Sequence, residues 1–317
     1  NYSDWDDDEL GGYEIPGSHR LLLAFYSLIF LLGVLGNGAV IWVTALELRR
    51  SVNGVWFLNL AVADLLCCLV LPFLALPLAQ DHHWPLGHGA CKALPSLTLL
   101  AMFCSVLLLT AISADRCALA TLPVWCHNHR TPALARLASG ACWLLATLLS
   151  LPSIIFRSVR SDPFSSKITC VLDYEAVGGY QRVAEQAVAI SRFLCGFLGP
   201  LVAIVTSYGL LLATVRGRGL GRSQRATKLV LLVVGTFFCC WLPYHIVGLI
   251  LATTSPGSRL FKGASAADPV VAAIAYGNSC INPLLYGAAG HHLRKQLRGS
   301  WRAAIRGVLA DDPPSSA

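Results

Sequence analysis

The chain has 317 residues, of which 55% are hydrophobic and only 13% are charged, and its mean hydropathy is +0.61. Soluble domains usually carry about 25% charged residues, so this composition excludes an ordinary soluble domain and predicts several membrane spans. The net charge of +7 predicts membrane orientation and no nucleic-acid partner, because the basic residues are concentrated in alternate links between apolar runs.

Residues 1–20 form an acidic, turn-rich segment that we expect to be a disordered extracellular tail. Asn1 opens the short glycosylation sequon Asn-Tyr-Ser. Tyr2 and Tyr13 lie beside acidic residues in the same tail. No short apolar stretch with a small-residue cleavage site follows, so we predict no signal peptide.

Seven apolar runs follow, each near the length that a helix needs to cross a bilayer. They predict an all-α membrane protein with a bundle of seven transmembrane helices over 21–290. The basic links put the N-terminus outside and the C-terminus inside. Residues 291–317 are predicted to form an amphipathic helix on the cytoplasmic surface, over 291–309, and a short tail. The runs are 21–46, 55–79, 94–120, 134–156, 188–215, 229–253 and 270–289.

Asp64 is the clearest polar group inside an apolar run, and polar groups at that depth are costly enough to indicate a function. Other small polar side chains in the runs are able to meet it. The cluster predicts a sodium site, a water site or a hydrogen-bonded packing contact. Its members are Asp64, Asn37, Ser105, Asn278, Ser279 and Asn282.

Asp115 and Arg116 end the third run at its cytoplasmic side. Either these side chains only extend to the membrane interface, or they form an ion pair that can be exchanged for another partner. Prolines inside the runs predict kinks, which serve packing in a rigid protein and act as hinges in a switching one.

A set of motifs in all seven runs, in the right order, resembles the rhodopsin-type G-protein-coupled receptors. The resemblance implies an outward ligand pocket, an inward cavity for a heterotrimeric G protein, arrestin as another partner, and no enzymatic activity. Span three has Thr98 where amine receptors carry an aspartate, and span seven has no lysine for a retinal Schiff base. The motifs are Asn37 in GNGAV, LAVAD ending at Asp64, Asp115-Arg116-Cys117, Trp143, Pro200, CWLPY ending at Tyr244 and NPLLY starting at Asn282.

This resemblance also implies roles for single residues. Cys91 and Cys170 match the family disulfide between span three and the second outer loop. Asp64 and its polar neighbours fall on the family's sodium pocket. Arg116 matches the arginine that pairs with Asp115 at rest and faces the G protein when active, although Cys117 departs from the usual tyrosine. The implied activation switch comprises Asp115, Arg116, Phe237, Trp241, Pro200, Tyr208, Asn282, Pro283 and Tyr286, with Val106 where isoleucine is common.

Longer segments, such as HHWPLGHGACKALPSL and EQAVAISRFLCGFLGPL, resemble the chemoattractant receptors for complement component 5a. That resemblance implies a plasma-membrane receptor that activates an inhibitory-class G protein and drives chemotaxis and inflammatory responses. The ligand is basic, and its C-terminal arm ends in an arginine with a free carboxylate. Asp268 would pair with that guanidinium, and Arg192 or Arg157 with the carboxylate. The implied ligand-binding residues are Arg157, Glu185, Arg192, Asp268, Tyr244, Tyr2 and Tyr13, the last two as sulfated tyrosines.

Several alternatives remain open on the sequence alone. The four outer charged residues would otherwise pair with one another at the wet membrane rim, and the acidic tail would only keep the chain soluble. A scavenging relative, which lacks the arginine of the Asp-Arg pair, and other chemoattractant peptide receptors are the nearest functional alternatives. A transporter is remote because we find no internal repeat, and a membrane enzyme is weaker still because no catalytic group pairing lies inside the spans. Membrane lipid is a partner in every case.

Overall fold

A computed structural model of the chain describes residues 14–46, 48, 50–163, 167–217 and 224–294. The side chains of 215–229 and 286–294, which include that of Tyr286, are outside this description. Asn1, Tyr2, Tyr13 and most of the predicted cytoplasmic helix also lie outside the described residues, so the predictions made for them stay predictions.

The described residues fold almost entirely as helices. A 3-10 turn, Glu175–Tyr180, leads into the helix Gln181–Phe193. A π-helical turn, Leu194–Leu198, joins that helix to the helix Gly199–Gly217. The bounds are α1 (Gly17–Leu46), α2 (Val52–Ala79), α3 (Gly87–Thr121), α4 (Pro123–His129), α5 (Pro132–Phe156), β1 (Arg157–Ser161), β2 (Ile168–Leu172), α6 (Gln181–Phe193), α7 (Gly199–Gly217), α8 (Gln224–Thr253) and α9 (Arg259–Arg294).

The predicted seven-helix membrane bundle is confirmed. Within the described residues, six helical segments are long and apolar enough to cross a membrane, and α9, with 36 residues, packs beside α1 and α8 as the seventh helix. Several helices begin earlier than the apolar runs predict: α3 begins at Gly87 and not at 94, and α9 at Arg259 and not at 270. Backbone hydrogen bonding continues a helix past the end of its apolar stretch, so hydropathy alone underestimates its length.

A β-hairpin between α5 and α6 was not predicted. Strands β1 and β2 pair antiparallel, with Val159 opposite Cys170. The predicted disulfide is confirmed, because Cys170 is bonded to Cys91 near the outer end of α3, with their Cα atoms 5.6 Å apart. The Trp84 N–H donates to the Ile168 carbonyl at 2.7 Å. The hairpin is therefore attached at several points to the outer end of α3 and to the link before it.

The core of the bundle is built around α3. Phe103, Leu108 and Leu109 of this helix are almost fully buried and belong to the same apolar cluster as Phe237 and Trp241 of α8. Because α3 touches α2, α5, α7 and α8, the outer pocket and the cytoplasmic surface share one rigid central element.

Candidate functional site

The outer half of the bundle holds a narrow cavity between α3, α5, α6 and the hairpin. Its volume is about 30 Å³, and Phe103, Pro152 and Leu172 form part of its apolar wall. Two of the predicted ligand-binding residues, Arg157 and Arg192, line it. Arg157 directly follows α5 as the first residue of β1, and Arg192 lies at the end of α6, just before the π-helical turn.

Arg192 is held against α8 by two contacts. Its guanidinium carbon lies 5.4 Å from the centre of the Tyr244 ring, which is cation–π geometry. A Cβ atom added at Gly248 would lie 3.0 Å from Arg192 Nη2, so the glycine leaves the room that the arginine occupies. The predicted ligand residue Tyr244 therefore supports Arg192 from α8.

Arg157 is a desolvated cation at the outer edge of the bundle. Its Nε is buried and has no hydrogen-bond partner among the described residues. Burial lowers the pKa of Arg157 from its ordinary value, and the positive charge of Arg192 lowers it further. A buried donor without a partner is costly, and an anion entering the cavity would remove that cost.

Asp268 of α9 carries the opposite charge, and both Arg192 and Arg157 act on it electrostatically. Among the described residues no ion pair joins Arg157, Glu185, Arg192 and Asp268 to one another. The alternative in which these charges pair directly with one another is therefore not what the structure shows. Glu185 stands apart, since the charge that acts on it is Arg182 of its own helix.

The predicted polar cluster around Asp64 is brought together deep in the bundle. Asn282 Nδ2 donates to one carboxylate oxygen of Asp64 at 2.7 Å, and Ser105 Oγ donates to the other at 3.4 Å. Asn37 Nδ2 donates to the Ser279 carbonyl at 2.8 Å, which joins α1 to α9. The carboxylate thus connects α2, α3 and α9 in one buried network.

This cluster has unused hydrogen-bonding capacity. The side-chain oxygens of Asn37, Asn278 and Asn282 are buried and lack hydrogen-bond partners among the described residues. Buried polar atoms are normally satisfied, so such oxygens call for an explanation. Oxygen atoms are the ligands that small hard cations prefer, so the sodium site stays a prediction, beside the water site and the packing contact.

The predicted rotamer switch lies directly below the outer pocket. The Trp241 ring is buried, 5.9 Å from Phe237 and 5.6 Å from Tyr244 between ring centres. Val106 and Pro200 are also buried. His245, which was not predicted as a site residue, is 2% exposed, and its ring centre lies 5.4 Å from that of Phe197. Its place directly after the WLPY motif was the available signal.

The cytoplasmic end holds an ion pair between Asp115 and Arg130 that was not predicted. Both carboxylate oxygens of Asp115 accept hydrogen bonds from Arg130, at 2.9 and 3.0 Å. Arg116 lies close enough to Tyr208 to act on its hydroxyl electrostatically. Arg130 is one of the basic link residues that predict only membrane orientation, and nothing in its local sequence indicates a contact with a residue of α3.

Residues 36–286 match the profile of the seven-transmembrane receptors of the rhodopsin family. The chain belongs to the rhodopsin family of seven-transmembrane receptors. It is a receptor of the plasma membrane that crosses the bilayer several times, and it is not an enzyme.

Among curated proteins the receptor is similar to several that are named C5a anaphylatoxin chemotactic receptor 1. It is 48% identical to that of Oryctolagus cuniculus over 291 residues, 92% of this chain and 82% of the relative. It is 44% identical to that of Canis lupus familiaris over 306 residues, 96% of this chain and 86% of the relative. It is 44% identical to that of Homo sapiens over 292 residues, 92% of this chain and 82% of the relative.

Proposed function

We propose that the receptor binds complement component 5a at the cell surface and activates an inhibitory-class heterotrimeric G protein, and that this drives chemotaxis and inflammatory responses. The relatives named above support the ligand, and the family supports the G protein. The observation that carries the proposal is the placement of Arg157 and Arg192 on the wall of the outer cavity, with Asp268 of α9 near enough for both arginines to act on it electrostatically.

The charges of this pocket match the end of the proposed ligand. A C-terminal arginine presents one carboxylate and one guanidinium. Arg157 and Arg192 are able to hold the carboxylate through charge-assisted, bidentate bonds, and Asp268 is able to hold the guanidinium. Because the three side chains form no direct ion pairs with one another, their bonding capacity is available to a ligand.

Ligand entry has a conformational consequence. A cavity of about 30 Å³ does not admit a peptide arm unless α5, α6 or the hairpin moves. A ligand shifts a receptor toward the arrangement that it binds better. Arg192 contacts Tyr244, and Tyr244 packs on Trp241, so displacement of Arg192 by ligand acts on α8 close to its internal Pro243.

The acidic tail supplies the second part of the proposal. Five acidic residues between positions 4 and 9 would attract a basic ligand and hold its folded core, with sulfated Tyr2 and Tyr13 adding negative charge and Asn1 glycosylated. Two linked contacts raise the overall affinity through effective concentration. Sodium at Asp64, held with oxygens from Ser105, Ser279, Asn278 and Asn282, would stabilise one arrangement of α2, α3 and α9 and add no reaction chemistry.

Nucleotide exchange tests this proposal. Purified receptor is combined with an inhibitory-class G protein and with C5a, and Asp268→Ala is compared with Glu175→Ala on the exposed outer turn. We expect wild type and Glu175→Ala to respond alike and Asp268→Ala to need a higher ligand concentration. Equal responses of all three proteins would keep the ligand and overturn the role of Asp268. Binding of C5a without exchange would make the protein a scavenging receptor.

A further inference from the structure

Arg130 lies in the short link between α4 and α5, and its side chain donates hydrogen bonds to Asp115 of α3 and Asn53 of α2. Its Nε donates to Asp115 Oδ1 at 2.9 Å, and its Nη2 donates to Asp115 Oδ2 at 3.0 Å. Nη2 also donates to Asn53 Oδ1 at 3.0 Å. One guanidinium thus joins the start of α2, the end of α3 and the link after α4.

Local structure fixes the positions of Asn53 and Arg130. Ser51 caps α2, which places Asn53 in the first turn of that helix. The seven-residue helix α4 begins at Pro123, and the Arg130 N–H donates to the Cys126 carbonyl at 3.0 Å, so the link leaves α4 at a set point. Cys126 is itself buried. Arg130 is therefore presented to Asp115 by a short, anchored element.

The geometry makes this a stronger contact than an ordinary surface ion pair. Only 14% of the Arg130 side chain and 13% of the Asp115 side chain are exposed. Exposed pairs contribute little because water screens them, whereas partly buried bidentate pairs between arginine and a carboxylate combine charge with fixed geometry. Asn53 is 2% exposed, so its side chain holds the guanidinium from a rigid position.

We propose that Arg130 is a positioning residue that binds the Asp115 carboxylate and so limits how strongly Asp115 restrains its neighbour Arg116. A carboxylate with both oxygens engaged by one cation attracts a second cation less strongly. The second cytoplasmic link would in this way set the balance between the resting and the G-protein-binding arrangement. The inference rests on the proposed activation of a G protein and on the roles that the family resemblance implies for Asp115 and Arg116.

The rival explanation is that Arg130 only attaches α4 to the bundle. The two explanations differ in the effect of Asp115→Asn itself. If Arg130 acts by drawing the Asp115 charge away from Arg116, Asp115→Asn raises exchange above wild type while Arg130→Ala lowers it, and Arg130→Ala has no further effect in the Asp115→Asn background. If Arg130 only attaches α4, both substitutions break the same bond and both lower exchange.

The experiment uses the whole receptor in lipid nanodiscs with a purified inhibitory-class G protein. Basal and C5a-stimulated nucleotide exchange are measured for wild type, Arg130→Ala, Asp115→Asn and the double variant, with Arg136→Ala as a control. Arg136 is exposed near the start of α5. Binding of C5a and the unfolding temperature show whether each variant is folded.

We expect Arg130→Ala to lower exchange roughly tenfold, the factor that about 1.4 kcal/mol of coupling produces. Arg130→Lys is expected to recover only part of this loss, because a lysine cannot form the bidentate bond. The double variant is expected to match Asp115→Asn within about twofold. A tenfold loss in the Asp115→Asn background, or no loss in wild type, would overturn the proposal.

Thermal unfolding of the same four proteins adds a reading that needs no G protein and no ligand. The effects of Arg130→Ala and Asp115→Asn on the unfolding temperature are expected to be clearly non-additive, and additive effects would overturn the proposal. If C5a fails to stimulate wild type while basal exchange and unfolding both show the coupling, the proposed ligand is wrong and the role of Arg130 stands.

Discussion

At the scale of single residues, the outer pocket is defined by two arginines whose hydrogen-bonding capacity is only partly used among the described residues. Arg192 lies on the Tyr244 ring, and the Nε of Arg157 is buried without a hydrogen-bond partner among the described residues. Taking charged groups out of water is costly unless partners replace the water. The pocket therefore gains most from a ligand that brings a carboxylate.

Substitution of Arg192 tests this account of the pocket. Arg192→Ala is expected to weaken C5a binding by about 10- to 100-fold, the range that one charge-assisted bond of about 1.5–3 kcal/mol predicts. Arg192→Lys should recover only part of the affinity, since a lysine lacks the planar fork. Arg182→Ala, earlier on the same helix, is the matched control. Full recovery by lysine in an equilibrium binding measurement would show that charge alone is sufficient.

The polar cluster gives a second prediction at this scale. Sodium chloride is expected to raise the unfolding temperature of the detergent-solubilised receptor above its value in choline chloride at equal ionic strength, because the ion binds only the folded chain. Asp64→Asn should abolish the difference between the two salts. The same sodium-dependent shift in Asp64→Asn would place the ion elsewhere.

At the scale of secondary structure elements, glycine sets how closely α1 approaches α9. A Cβ atom at Gly36 would lie 2.7 Å from Pro283 Cβ, whereas one at Gly38 would meet nothing within 4 Å. Gly36 and Gly38 are in the same helix, so alanine can be placed at both positions. Only the alanine at position 36 would collide with a neighbouring helix. Pro283 is also a predicted switch residue, and its position depends on this contact.

Gly36→Ala is accordingly expected to destabilise the receptor by about 1–3 kcal/mol through overpacking. Gly38→Ala should be neutral or stabilising by about 0.5–1 kcal/mol, because alanine favours a helix over glycine. Unfolding temperatures of the two variants, measured side by side, check the prediction. A Gly38→Ala receptor that is less stable than Gly36→Ala would contradict the packing described here.

The hairpin gives a prediction for a whole element. Arg157 and Leu172, at its two ends, both line the outer cavity, and the Cys91–Cys170 disulfide anchors it. Cys170→Ser is expected to reduce C5a binding at least tenfold, because the pocket wall is no longer held, while the helices remain folded. Circular dichroism together with ligand binding tests this, and unchanged affinity would show that the hairpin does not form the pocket.

The sequence predicted the elements that the bilayer requires and missed those that depend on long-range contacts. Each span needs about 20 apolar residues, so the helices are visible in hydropathy. The hairpin has two strands of five residues, of which β1 is polar and β2 is mainly apolar. They lie in a link between spans, where such short stretches do not stand out as strands. The hydrogen bonds from Arg130 to Asp115 and Asn53 join a link to two helices that are distant in the sequence. No local sequence pattern predicts such long-range contacts.

At the scale of the whole molecule, a set of contacts runs inward from the proposed ligand pocket. Arg192 touches Tyr244, and Trp241 packs against both Tyr244 and Phe237 in the buried core. At the cytoplasmic end Asp115 is held by Arg130, and Arg116 lies near Tyr208. A ligand that binds one arrangement of the outer contacts better would shift the population of the inner ones.

The most direct test of this account is the affinity of two ligands for two receptors. Intact C5a and C5a without its C-terminal arginine are titrated against wild type and Asp268→Ala. We expect loss of the arginine to cost wild type more than tenfold and Asp268→Ala much less, because both changes remove the same contact. Equal costs in the two receptors would show that Asp268 does not meet that arginine and would contradict the proposed pocket.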